Sequence, residues 1–163
     1  MDDMGASFIA FVGIVVAIWG VVTHRLIARR RTTLDFIARA EADKDVIDAR
    51  RKFIELATNS DGGLASFAEQ NKESSEEAQS IQLILNEFEL AAIGIQRGII
   101  DLEVYKRWNR STVVTYWEHA LPFVTRLRAR TQNSAYYHEF EQMAGWLKEN
   151  KMPKRRRFWA LFF

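Results

Sequence analysis

The sequence predicts an all-α protein: one N-terminal transmembrane helix followed by a small cytoplasmic helical bundle of about four to five helices. Three observations carry this expectation. Residues 4–23, MGASFIAFVGIVVAIWGVVT, contain no charged side chain. Beyond them, apolar residues recur three and four apart, the spacing of one helix face. No run alternates apolar and polar as a half-buried strand does.

The apolar stretch comes first. At about 1.5 Å of rise per residue its twenty residues reach roughly 30 Å, the thickness of a bilayer's hydrocarbon core. Apolar side chains cover every side of it, which argues against the core helix of a soluble domain. Asp2 and Asp3 precede it, whereas His24, Arg25, Arg29, Arg30 and Arg31 follow. That asymmetry predicts an N-terminus outside and a body in the cytoplasm. A cleaved signal peptide needs bases before a shorter apolar core and small residues after it; this segment has acids before it and arginines after it. Trp19 and the arginines 29–31 are the expected membrane-edge contacts. The organisation is therefore an anchor with its basic flank, 1–31, a helical bundle, 32–150, and a tail, 151–163.

Within the bundle, Thr33 or Thr32 is expected to cap a helix over 34–57 that continues from the anchor. Its inward residues would be Leu34, Ile37, Val46, Ile47, Phe53, Ile54 and Ala57. Asn59, Ser60, Asp61, Gly62 and Gly63 end it, and 64–75 reads as a loop. The clearest helix follows, with Ser74 and Glu77 as a capping box and a stripe of Ala78, Ile81, Leu85, Phe88, Ala92 and Ile95. Gly98 stops it. Asp101 then caps a helix with Leu102, Tyr105 and Trp108 inward, and Asn109, Arg110 and Ser111 mark a weak break. A helix over 112–130 follows, burying Val113, Trp117, Leu121, Val124 and Leu127, with a kink near Glu118 caused by Pro122. The last helix, 135–150, turns Tyr136, Phe140, Met143 and Leu147 inward.

Charge is unevenly distributed. Residues 69–103 hold eight acids and two bases, whereas 106–130 hold six bases and one acid, so these segments are expected to face each other. Residues 32–147 carry 18 acids against 13 bases, which is not the footprint of a nucleic-acid binder. The bases of the tail, among them Arg155, Arg156 and Arg157, lead into Phe158, Trp159, Phe162 and Phe163. Basic residues beside aromatic ones suit a membrane surface or a membrane partner. The competing reading is a tail whose aromatic rings fold back onto the body.

Asn86, Glu87, Phe88, Glu89, Ala92, Gly94, Ile95, Gly98, Ile99, Ile100, Asp101 and Tyr105, followed by Trp117, resemble the bacterial family catalogued as domain of unknown function 4760. The resemblance runs over about 34–146, with 86–101 its distinctive part. It implies an apolar N-terminal helix before an all-helical region, and no activity, cofactor or functional residue. On physical grounds, Gly94 and Gly98, four apart, would let another helix approach, and Asn86 and Glu89 would interact across to a neighbour. The plainer reading of Glu87 and Glu89 is solvation or pairing with arginines.

Chemistry-bearing patterns are few. With no cysteine, thiolate metal sites, iron–sulfur clusters and cysteine nucleophiles are excluded. The residues three before His119 and His138 are Tyr116 and Ala135 rather than the glutamates of a di-iron bundle. Gln142 occupies the second ligand position of a zinc-protease helix begun by His138 and Glu139. No cofactor is expected. The function expected is a non-enzymatic interaction or accessory protein, a small subunit of a membrane complex, with lipid and a membrane protein or a second copy as partners and no nucleic acid. The alternative is a membrane-tethered effector enzyme, such as a defence or toxin nuclease, using Arg126, Arg130 and His138.

Overall fold

The computed structural model describes residues 2–59 and 62–150, and among these the chain is all-α. Five helices are present: α1 (Asp2–Ala42), α2 (Lys44–Asn59), α3 (Glu76–Gln96), α4 (Leu102–Thr131) and α5 (His138–Lys148). Two 3-10 turns, Gly63–Ala68 and Gln70–Lys72, occupy the stretch expected to be a loop. Leu64 and Ala68 are buried there, which gives the first turn a reason to form.

α1 is a single helix of 41 residues, about 60 Å long, and the apolar stretch runs into the bundle without interruption. Thr33 does not cap a helix. It lies inside α1, fully buried, and its hydroxyl donates to the Arg29 carbonyl one turn back at 2.8 Å. The break comes ten residues later, at Asp43, whose carboxylate accepts from the amides of Asp45 (2.9 Å) and Val46 (3.3 Å) and so starts α2. Ile37, Ala49, Phe53 and Leu56 form the buried face of α1 and α2; Leu34, Ile47 and Ile54 stay exposed.

α3 carries the core. Every residue of its expected stripe is buried, together with Ile84, Ala91 and Gly94. Its cap is Ser75 rather than Ser74: the Ser75 hydroxyl accepts from the Ala78 amide at 3.2 Å. Phe88 stacks on Phe140 (4.9 Å between centroids) and meets the edge of Tyr116 (5.4 Å), while Phe53 stacks on Tyr116 from α2 (4.8 Å). Burying a ring of that size contributes roughly 2–3 kcal/mol, and removing it would cost about 3–5 kcal/mol with the cavity left behind.

α4 is one helix through Asn109, Arg110 and Ser111, where a break was expected. Arg110 there finds a partner on another helix, donating to the Leu147 carbonyl at 2.9 Å. The helix also continues through Pro122. Its buried stripe is Leu102, Tyr105, Val113, Ala120, Phe123, Val124 and Leu127. At 100° per residue Trp108 and Leu121 each sit about 110° from the centre of that stripe, on opposite sides. Both are therefore exposed, at 60% and 42%, contrary to expectation. α5 starts at His138 instead of 135, so helical spacing does not apply to the residues before it. Tyr137 adopts a left-handed φ of 56° and is buried, leaving Tyr136 exposed.

The contacts fix the direction of each helix. Arg29 and Thr33 meet Asp101, and Phe36 meets Tyr105, so α4 runs parallel to α1. α3 runs the opposite way, with Phe88 beside Tyr116 and its last turn against Ile100. Ion pairs Glu69–Arg126 and Glu73–Arg130 tie the turn just before α3 to the far end of α4, in line with the expected facing of acidic and basic segments. α5 returns along α4, linking Arg128 to Glu141 and Glu118 to Lys148. The α3–α4 turn and the end of α5 thus point toward the apolar half of α1.

Candidate functional site

Among the described residues, exposed large apolar side chains are most concentrated on the apolar half of α1. Among the described residues it is the one helix long and apolar enough to cross a membrane, and none of that window is buried. Phe8, Ile9, Phe11, Ile14, Ile18, Trp19 and Ile27 are each 59–72% exposed. A leader sequence would have the same length and composition, so the helix by itself establishes a capacity to span.

The arginines expected at the membrane edge separate into two groups. Arg30 and Arg31 are exposed, whereas Arg29 turns inward. Its guanidinium donates through Nη2 (2.8 Å) and Nε (3.2 Å) to Oδ2 of Asp101. The other carboxylate oxygen of Asp101 accepts from the amides of Glu103 (3.0 Å) and Val104 (3.3 Å), capping α4. The Asp101 amide in turn donates to the Thr33 hydroxyl at 2.7 Å. Burial alone would raise the Asp101 carboxyl, but the Arg29 hydrogen bond and the two amides outweigh it and hold the group below the usual carboxylate range. One aspartate thus caps a helix and fastens it to α1. Its capping role is visible in the sequence; its partner 72 residues away is not.

The residues expected to pack helices behave differently from one another. Glu89 crosses from α3 to the start of α5, accepting from the amides of Phe140 (2.7 Å) and Glu139 (3.3 Å). Tyr137, in the cap position of α5, supplies no side-chain acceptor, and Glu89 takes over that task. Burial, with Glu89 and Tyr136 nearby, pushes the Tyr137 hydroxyl up to about 12. Asn86 is exposed and lines a shallow open groove with Gln82, Glu89, Asn133 and Tyr136. Gly94 does meet a close neighbour, but not a helix. A Cβ there would lie 2.7 Å from Cδ1 of Ile100, which folds back from the α3–α4 turn. Gly98 has open space around it and a φ of 74°, so it serves as the helix stop and offers no packing surface.

Glu87 pairs with an arginine, Arg50 of α2, at 2.7 Å; Arg50 also reaches Glu41 near the end of α1 at 2.7 Å. Burial raises the Glu87 carboxyl more than the guanidinium lowers it. Arg50 is held high as well: burial works against its charge, but two carboxylates favour it.

The residues of the enzymatic alternative have other partners. Arg126 pairs with Glu69 (3.6 Å), Arg130 with Glu73 (3.2 Å), and His138 contacts Gln142 (2.6 Å) one turn along its own helix. No cluster of side chains suited to a metal ion occurs among the described residues. The tail residues Arg155, Arg156, Arg157, Phe158, Trp159, Phe162 and Phe163 lie outside the described residues.

One feature escapes the sequence reading. On the outward side of α3, Leu83, Leu90 and Ile93 are exposed by 39%, 59% and 40% at seven- and three-residue spacing, forming a second, weaker apolar stripe. The stronger stripe on the opposite side of α3 masks its signal.

No curated protein and no solved structure matches this chain. Residues 7–146 match the family described as Domain of unknown function (DUF4760), a span that includes most of the apolar half of α1 as well as the bundle. The chain belongs to that family.

Proposed function

We propose that the protein is a single-pass, membrane-anchored, non-enzymatic interaction or accessory protein, with its N-terminus outside and its helical body in the cytoplasm of a bacterial cell. The observation that carries the reading is the bare apolar half of α1, joined without a break to a body fastened by Arg29, Thr33 and Asp101. Apolar side chains on all sides of a helix avoid water most readily in a bilayer, and the arginines that follow favour the cytoplasmic side. The outward stripe of Leu83, Leu90 and Ile93 supports a role in binding other proteins, since monomeric surfaces seldom group large apolar residues without use. The nuclease alternative finds less support, because Arg126 and Arg130 are neutralised by glutamates.

The test is extraction of the full-length protein from its native membranes in mild detergent, followed by affinity capture, sizing and mass spectrometry. A stoichiometric membrane complex, lost on Leu90→Glu, is the expected result. Recovery of the chain in the soluble fraction would overturn the anchor, and a lone monomer would overturn the accessory role. Deleting residues 151–163 and repeating the capture tests the contribution of the basic-aromatic tail.

A further inference from the structure

The contacts of Asp101 set where the α3–α4 turn lies along α1. Arg29 and Thr33 hold Asp101, and Arg29 is two residues beyond Ile27, the last strongly exposed apolar residue of α1 before the arginines. Two residues of helix are about 3 Å of rise, and six from residue 23 are about 9 Å, so the turn lies at the level of the headgroup layer of a bilayer spanned by α1. α3 arrives at this level and α4 leaves it, making the turn the end of the bundle nearest the apolar half. Gly98 reverses the chain and Ile100 folds inward onto Gly94. What remains outside is Ile99, 57% exposed, beside the exposed Arg97. An exposed isoleucine is ordinary in itself; this one lies where water gives way to lipid.

Charge at this end has one dominant sign. Arg30, Arg31 and Arg97 are exposed and Asp101 is neutralised by Arg29; the opposing acids are Glu103 in the first turn of α4 and Glu139, which accepts from Gln96 in the last turn of α3. Bases at the height of an exposed apolar side chain match an anionic phospholipid surface: the isoleucine enters the apolar margin while the guanidinium groups meet phosphate.

We propose that the α3–α4 turn is a second membrane contact, in which Ile99 enters the headgroup layer and Arg97, with Arg30 and Arg31, binds anionic lipid headgroups. The proposal rests on the anchored reading above. It makes the membrane a partner of the body as well as of the span, and holds the bundle against the bilayer at a fixed level.

The chain has no cysteine, so Ile99→Cys, Leu90→Cys and Ile14→Cys each accept a single environment-sensitive fluorophore on the full-length protein. The labelled proteins are reconstituted into vesicles of phosphatidylcholine and phosphatidylglycerol, some carrying a headgroup-attached quencher. Expected are a blue-shifted, quenchable signal at position 99, an aqueous signal at 90 some nine residues up α3, and a deep signal at 14. Arg97→Gln in the Ile99→Cys background lowers the docked-to-undocked ratio about fivefold, the factor one base contributes near an anionic surface. A deep signal at 14 with an aqueous one at 99 overturns the second contact and leaves the anchor standing. Equal quenching at 99 and 90 overturns the stated orientation, and aqueous signals at all three positions overturn the anchor with it. All three positions are exposed, and helical circular dichroism checks that each variant is folded.

Discussion

Replacing Asp101 removes two functions at once, and the structure allows their sizes to be separated. In Asp101→Ala, α4 loses its cap, worth about 1 kcal/mol. Arg29 also loses its carboxylate. Breaking a fully buried pair costs about 3–5 kcal/mol, but the Arg29 side chain is 23% exposed and can turn to water, which brings that part down to about 1 kcal/mol. The sum is about 2 kcal/mol, or roughly 10 °C in the unfolding midpoint of a body of this size. Asp101→Asn keeps a capping oxygen and loses the charge, so it should cost about half as much. Thr33→Val leaves the Asp101 amide without an acceptor in a buried place and should cost about 1–2 kcal/mol. The assay is thermal unfolding of the full-length protein in mild detergent, followed by circular dichroism. pH supplies a second check. The folded carboxyl titrates below its unfolded value, so its contribution is present above the ordinary carboxylate range and fades as pH falls through the folded value. The gap between Asp101→Asn and the parent should therefore close at strongly acid pH. Asp101→Ala within about 0.5 kcal/mol of the parent at neutral pH would refute the fastening role.

Glu89→Ala removes the acceptor for the first amides of α5; amide exchange in α5 should accelerate at a cost of about 1–2 kcal/mol, while exchange in α2 should barely change. Gly94→Ala drives a methyl against Cδ1 of Ile100 and should cost about 1 kcal/mol net of its better helix propensity; an Ile100→Val background, which lacks Cδ1 but keeps a γ-carbon near the 3.0 Å contact, should lower the penalty in part. Gly98→Ala forces a side chain into a left-handed φ and should cost about 1–2 kcal/mol in either background. For Glu87, whose folded carboxyl titrates above its unfolded value, the stabilising contribution is complete below the unfolded value and lost as pH rises through the folded one. Unfolding midpoints of Glu87→Gln relative to the parent should thus improve from pH 4 to pH 7, and an opposite trend would contradict the assignment.

Local chemistry was legible in the sequence wherever one residue decided the outcome. Gly98 stops α3, Asp101 caps α4, and the stripe from Ala78 to Ile95 is the core face, because each follows from backbone geometry or from the period of a single helix. Misreadings arose where a partner distant in sequence decided. Thr33 looks like a cap until the amide of Asp101 is seen above its hydroxyl, and the expected break at 109–111 disappears once Arg110 reaches the Leu147 carbonyl. Trp108 shows the limit of periodicity: an apolar residue near the right spacing is buried only if another helix covers that flank. For the candidate site, an apolar stretch long enough to span was plain from composition, as was the run of arginines after it. The division of labour between Arg29 and the exposed Arg30 and Arg31 was not, since three consecutive arginines look alike until one of them finds an aspartate.

The uninterrupted run of α1 has a mechanical consequence. A body on a glycine-rich linker sweeps a wide volume and shows a passing molecule any of its sides. A helix 41 residues long, without proline and unbroken until Asp43, has no such swivel. In a bilayer, tilting or turning the span would tilt or turn the first turns of the bundle by the same amount, through the Arg29–Asp101 clasp. Other membrane proteins would then encounter this molecule from a narrow range of angles, with the outward stripe of α3 always at nearly one distance from the lipid. Inserting two glycines after Arg25 would uncouple the two halves while leaving both folded.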